Sequence, residues 1–185
     1  LQCRNIAYTI DAVRLAQRFG CKTFIGAGSQ AEYGRTEKNL TSQTPAFPEN
    51  GYGMAKLCAG EMSRGLCQQL GMKHIWTRIL SVYGPYDGPN TMISSAIRTM
   101  LEGKRMAFTA GEQKWDYLYS RDAAEALWKL WEHGIDGKVY VLGSGSIQTL
   151  KEYILEIYRA VLEVNPNAGR PCFGEIPYAD GQVMY

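Results

Sequence analysis

The sequence has only two histidines, His74 and His133, and five cysteines scattered at positions 3, 21, 58, 67 and 172. An odd cysteine number without a C-x-x-C pair indicates neither a disulfide framework nor a zinc site. With only these two histidines a multi-histidine metal site is not expected, and no metal is expected. Reduced thiols are expected instead, as in a cytoplasmic protein. No apolar run reaches the ~18 residues of a membrane helix, and Leu1-Gln2-Cys3-Arg4-Asn5 carries no signal-peptide pattern. Charge of one sign is also lacking. Lys+Arg is 20 against 18 for Asp+Glu, too balanced for a general binder of nucleic acid or polyanions. What the chain does have is glycine, 20 residues in 185, which predicts many tight turns. Its 45% hydrophobic and 21% charged residues are those of an ordinary globular protein with one domain or slightly more.

Periodicity gives the elements. Ile6, Ile10, Val13, Leu15, Ala16 and Phe19 predict a helix over 1–19, stopped by Gly20. Lys22–Ile25 is a β-type run entering Gly26-Ala27-Gly28-Ser29. Residues 34–51, with Pro45, Pro48, Asn50 and Gly51, read as a loop. Met54, Leu57, Cys58, Met62, Leu66 and Leu70 predict a helix over 52–70, stopped by Gly71. A strand over His74–Leu80 and a turn over Gly84–Pro89 follow. Helices are predicted at 91–102, at 121–133 with Ala124, Leu127, Trp128 and Trp131 inward, and at 149–163. The last carries Leu150, Ile154, Ile157 and Val161 on one face and Thr149 as its N-cap. Short strands fit Met106–Thr109, Tyr117–Tyr119 and Val139–Leu142. Helices and strands alternating with short connections predict an α/β fold with a largely parallel sheet.

Two glycine-rich stretches invite a phosphate-loop reading. Gly26-Ala27-Gly28-Ser29-Gln30-Ala31 follows a strand, but Glu32-Tyr33-Gly34-Arg35 and a polar loop come next. No helix opens to face a pyrophosphate. Gly143-Ser144-Gly145-Ser146 lies between strand and helix but has Gln148 where a third small residue belongs, and reads as an ordinary turn. Tyr52-Gly53-Met54-Ala55-Lys56 is Y-x-x-x-K at a helix start, and its i,i+4 spacing puts phenol and ammonium on one face. An ammonium ~4 Å from a phenol favours the phenolate by about 4 kcal/mol at an effective dielectric near 20. A tyrosine so placed can serve as general acid or base.

These residues come in series with Thr77-Arg78-Ile79-Leu80-Ser81-Val82-Tyr83-Gly84-Pro85, Trp115-Asp116-Tyr117-Leu118-Tyr119-Ser120-Arg121-Asp122 and Val139-Tyr140-Val141-Leu142-Gly143. The series resembles the extended short-chain dehydrogenase/reductase family, in its NAD-dependent sugar epimerase/dehydratase branch, over nearly the whole chain. The resemblance implies a Rossmann-type doubly wound, mostly parallel sheet with a small C-terminal substrate-binding part. Residues 1–163 would be the C-terminal portion of the NAD(P)-dependent domain, with substrate-side insertions at about 84–118. Residues 164–185 would begin the final substrate-binding segment. The glycine-rich pyrophosphate loop would lie N-terminal to Leu1, in roughly 80–100 further residues.

By the same resemblance, Tyr52 is the acid/base, Lys56 stabilises its phenolate and binds the nicotinamide ribose, and Ser29 hydrogen-bonds the reacting sugar oxygen. Gly28, Ser81 and Val82 would approach NAD or NADP. Gln30, Asn90, Thr91 and Lys114 would approach a substrate sugar, nucleotide-linked by expectation. The dehydratase branch has Thr-Asp-Glu where this chain has Ser29, Gln30 and Ala31, which favours an epimerase or ketoreductase. Trp115 stands where the family often has a phosphate-gripping arginine, leaving Lys114 as a substitute. A later family arginine falls near Tyr178 or Ala179. Asp116 and Asp122 read as structural, Asp122 as the cap of a helix from Ala123. A homodimer through helices 1–19 and 52–70 is expected. The alternatives are a catalytically silent NAD(P)-binding regulator of the same fold, or an inactive piece of either protein.

Overall fold

The computed structural model describes residues 2–36 and 39–178. Part of the expected final segment, residues 179–185 with Ala179, lies outside the described residues. In chain order the elements are α1 (Cys3–Arg18), β1 (Thr23–Ser29), a 3-10 turn (Gln30–Glu32), α2 (Gly51–Gln69), β2 (Lys73–Ile79) and β3 (Ser81–Tyr83). Then follow α3 (Met92–Leu101), β4 (Met106–Ala107), β5 (Lys114–Trp115), β6 (Tyr117–Tyr119), α4 (Ser120–His133) and β7 (Val139–Leu142). The chain continues with β8 (Gln148–Thr149), α5 (Leu150–Val164) and β9 (Pro171–Cys172). They form two compact units, residues 1–82 with 118–143, and 83–117 with 144–185.

The first unit is built on a parallel sheet in the order β1-β2-β7. β1 runs beside β2 from Thr23↔Lys73 to Ser29↔Ile79, and β2 beside β7 from Trp76↔Val139 to Ile79↔Leu142. Alternation along the strands separates two faces. On one face Phe24 joins Val13 and Ala16 of α1 and Leu66, Cys67 and Met72 in a core cluster. On the other, Ile79 joins Leu118, Ala123, Ala126, Leu127, Leu130 and Leu142. Covered on both sides, β2 is buried from His74 to Arg78, as a central parallel strand should be.

The second unit packs α3 on α5. Ala96, Met100, Phe108, Ile154 and Val161 are its buried centre, and each large side chain contributes about 1.5–3 kcal/mol on burial. α5 begins with the expected cap, a reciprocal box in which Thr149 Oγ1 accepts from Glu152 N and Thr149 N donates to Glu152 at 2.7 Å. The units divide the chain differently from the expected boundary at 163/164. The apolar stripe of α5 is spent on α3, so α5 belongs with residues 83–117.

Three local expectations are corrected. α4 starts at Ser120 with Tyr119 in the cap position, so Asp122 lies in its first turn and caps nothing. It remains favourably placed for the helix dipole. α4 turns Ala123, Ala126, Leu127 and Leu130 inward. Ala124, Trp128 and Trp131 face outward, the two indoles packed on each other with ring centroids 4.8 Å apart. β1 does not stop at Ile25 but runs through Gly26 and Gly28 to Ser29. The reason lies in what those glycines face.

Candidate active site

β2 brings an indole and a guanidinium into the interior, and the first unit is arranged around them. A Cβ on Gly26 would stand 2.2 Å from the Trp76 ring, and one on Gly60 of α2 would stand 2.7 Å from it. A Cβ on Gly28 would stand 2.4 Å from Trp76 Nε1 and 2.2 Å from Glu32 Oε1. The glycines of the first G-x-G therefore stay within the strand and make room for Trp76 and Glu32. They form no cradle for a phosphate. The second stretch is closed as well: Asp116 accepts from Ser144 N at 2.7 Å, Ser144 Oγ at 2.7 Å and Gly145 N at 3.0 Å. Asp116 is structural, as expected.

At the C-terminal end of β1 the chain turns through the short 3-10 segment. Ser29 is extended (φ −149°, ψ 152°), its Oγ accepts from Ala31 N at 3.2 Å, and its N–H donates to Glu32 Oε1 at 2.8 Å. α2 then starts against this turn. Asn50 caps it by accepting from Gly53 N at 2.8 Å. Gly53 lies against Ala31, where a Cβ would come within 2.1 Å of the carbonyl oxygen. That close approach carries Tyr52 and Lys56 to the end of β1. Lys56 Nζ donates to Ala27 O at 2.8 Å and lies 5.8 Å from the centre of the Tyr52 ring. Tyr52 is 40% exposed. Because β1 and β2 are parallel and Ser29 pairs with Ile79, Ser81 and Val82 continue from the same sheet edge. This is the carboxyl edge, where open α/β sheets bind ligands.

Ser29, Gly28, Tyr52, Lys56, Ser81 and Val82 thus share the first unit, whereas Asn90, Thr91 and Lys114 belong to the second. Asn90 is exposed, and Thr91, at the cap position of α3, donates its hydroxyl to Gly88 O at 3.0 Å. Lys114 is exposed on β5, opposite Thr149 of β8. Gln30 is half-buried in the 3-10 turn. No group of three or more His, Cys, Asp or Glu could hold a metal among the described residues, and none of their helices is long and apolar enough to cross a membrane.

The sequence reading missed Glu32 as a member of this site. Its side chain is fully buried. Oε2 accepts from Arg78 Nε at 2.8 Å, and Trp76 Nε1 lies 3.1 and 3.2 Å from the two oxygens. Arg78 lies 4.4 Å from the centre of the Tyr33 ring. Burial pushes the Tyr33 phenol above its ordinary value, against the pull of Arg78, and its hydroxyl donates to Thr41 O. The available signal was an arginine and a tryptophan in the strand His74–Ile79. A charge at the centre of a parallel sheet requires a buried partner.

Residues 2–143 match the sequence profile of the NAD dependent epimerase/dehydratase family. The chain belongs to this family. The dTDP-glucose 4,6-dehydratase of Neisseria meningitidis serogroup B is 27% identical over 136 residues, 73% of this chain and 38% of that protein. Among solved structures, UDP-glucose 4-epimerase from Thermotoga maritima with UDP-glucose superposes with a TM-score of 0.81 at 24% identity. The match covers 97% of this chain and 58% of that one. dTDP-glucose 4,6-dehydratase from Bacillus anthracis in complex with NAD gives 0.80 at 23% identity, covering 97% and 57%. These likenesses establish the Rossmann-like fold. The chain spans less than half the length of the curated relatives it matches.

Proposed function

We propose that this chain is part of an NAD(P)-dependent enzyme that acts on a nucleotide-linked sugar as an epimerase or ketoreductase. The observation that carries the reading is the placement of Lys56, bonded to Ala27 O and adjacent to the Tyr52 ring, at the strand end that presents Ser29. A bound nicotinamide supplies hydride transfer at a sugar carbon. Tyr52 exchanges the hydroxyl proton at that carbon, and Ser29 donates a hydrogen bond to the same oxygen. The Lys56 ammonium has three N–H donors; Ala27 O takes one, and another suits a ribose hydroxyl. Lys56 would hold the nicotinamide ribose through that donor, and Gly28, Ser81 and Val82 are assigned to the cofactor side. Neither G-x-G stretch fits the pyrophosphate, because side chains pack against the glycines of one and bond the other.

Epimerase or ketoreductase is favoured over dehydratase by the segment after Ser29. Removing water from a sugar needs a separate acid and base, and Gln30 and Ala31 supply neither. Glu32 is no substitute, since its carboxylate is buried and receives N–H donors from Ser29, Trp76 and Arg78. Asn90, Thr91 and Lys114 are assigned to the nucleotide-sugar side. α1 and α2 leave Tyr8, Leu15, Phe19, Met54 and Met62 at least half exposed. This supports a homodimer through these helices, which sedimentation at tens of micromolar would detect and a purely monomeric profile would exclude.

The reading is tested by Tyr52→Phe in the intact protein, assayed by nicotinamide absorbance with UDP- and dTDP-linked hexoses. Turnover drops at least ~10²-fold while cofactor affinity stays nearly unchanged. Turnover within about threefold of wild type removes Tyr52 from the mechanism.

A further inference from the structure

The buried ion pair between Glu32 and Arg78 is an expensive way to fill the interior. Removing two charges from water costs several kcal/mol per ion, and apolar side chains of similar volume commonly pack as well or better. What apolar residues cannot do is accept a hydrogen bond. Of the three donors that converge on Glu32, two are side chains of β2, Trp76 Nε1 and Arg78 Nε. The third is the main-chain N–H of Ser29. The room for Glu32 Oε1 is secured by Gly28, where a Cβ would stand 2.2 Å from that oxygen. The guanidinium also packs on the ring of Tyr33, 4.4 Å from its centre, and Tyr33 is 2% exposed. The turn thus holds Ser29 at two points, its N–H on Glu32 and its Oγ on Ala31 N. The second bond uses an acceptor position of Oγ and leaves the hydroxyl proton to donate elsewhere.

We propose that Glu32, clamped by Arg78 and Trp76, is a positioning residue that sets the Ser29 hydroxyl toward the substrate oxygen. This rests on the reading above that Ser29 meets the sugar. Glu32 touches no substrate. Its carboxylate oxygen, by accepting the Ser29 N–H, orients the serine through the main chain, and β2 holds that carboxylate through Trp76 and Arg78. An oxygen displaced by about 1 Å in such a site costs on the order of 10²-fold in rate.

The test compares two double variants of the intact protein, Glu32→Gln with Arg78→Met and Glu32→Leu with Arg78→Met. Both remove the buried charge pair together, which avoids stranding either partner. Only glutamine still accepts the Ser29 N–H. With UDP- or dTDP-linked hexose as substrate and NAD as cofactor, the glutamine variant retains most of its turnover. The leucine variant loses roughly 10- to 100-fold in kcat, with little change in the Kd for NAD. A folded leucine variant with the kcat of the glutamine variant overturns the proposal. Ser29→Ala separates the two readings. If it costs turnover and the leucine variant does not, positioning alone is refuted. If Ser29→Ala costs nothing, the substrate contact and the positioning role both fall. The wild-type chain provides an arm that needs no variant to fold: a Ser29 amide held by the buried carboxylate exchanges with solvent at least ~10²-fold more slowly than a free amide. Free exchange at Ser29 overturns the proposal.

Discussion

The chain contains two G-x-G-S sequences, each at the end of a strand of the same parallel sheet, and they use glycine for opposite reasons. In Gly26-Ala27-Gly28-Ser29 both glycines are strand residues, and what forbids a side chain is Trp76 and Glu32 packed against them. In Gly143-Ser144-Gly145-Ser146, Gly145 has open space around the position of a Cβ but a φ of +76°, which L side chains adopt at a cost. The first stretch is sterically constrained by Trp76 and Glu32 packed against its glycines. The second is conformationally constrained and is tied by Asp116. A four-letter motif therefore carries no function by itself; the neighbours of each glycine decide.

The contrast can be broken in three ways. The largest effect belongs to Arg78→Leu, which strands the Glu32 carboxylate in the interior. A loss of about 3–5 kcal/mol is expected by urea denaturation, and a loss below about 1 kcal/mol would show that the first stretch is not built on a buried ion pair. Next comes a matched pair of glycine substitutions. Gly28→Ala meets Glu32 Oε1 and, at 2.6 Å, the Thr77 carbonyl oxygen, and is expected to cost about 3 kcal/mol through overpacking. Gly145→Ala meets nothing and is expected to cost about 1 kcal/mol through its dihedral alone. Equal losses would erase the distinction.

The smallest effect is a pH dependence carried by β2, the strand packed beside the first stretch. His74 stacks beside Trp76, with centroids 6.1 Å apart. Its Nε2 meets Ser63 Oγ at 2.9 Å, while Nδ1 has no partner among the described residues. Burial lowers its pKa below the ordinary 6.5. Arg64 lowers it further, and Asp136 and Glu61 oppose the shift. The unfolded chain therefore takes up the proton first. Stability is full above pH 6.5 and is lost as pH falls from there through the lowered folded value. Thermal denaturation should show a slope no steeper than about 1.4 kcal/mol per pH unit from this group, and His74→Asn should flatten it. An unchanged slope would assign the dependence elsewhere.

Much of the architecture was legible because it is local. Gly20 and Gly71 end α1 and α2 with positive φ, Thr149 caps α5, and Tyr52 and Lys56 share a helix face by spacing alone. The errors have a common origin. Trp128 and Trp131 are expected inward, whereas α4 offers its slimmer stripe of Ala123, Ala126, Leu127 and Leu130 to the core. α2 does the same, burying Gly53, Ala55, Ala59, Gly60, Ser63 and Cys67 and leaving Met54 and Met62 outside. Close packing on a flat sheet rewards small residues, and hydrophobicity alone does not rank them first. Glu32 was missed for a different reason: the residues that signal it, Trp76 and Arg78, lie 44 and 46 positions away.

That distance has a consequence for the order of assembly. Glu32 is 44 residues from Trp76 and 46 from Arg78, Lys56 is 29 from Ala27, and Thr77 reaches back 51 residues to Gly26. Closures of this length carry an entropic cost that local helices do not face. As the chain emerges, α2 can form early with Tyr52 and Lys56 already aligned on it. The carboxylate that holds the serine turn is covered only once β2 docks, so the strand that contributes none of the exposed groups closes the interior beneath them.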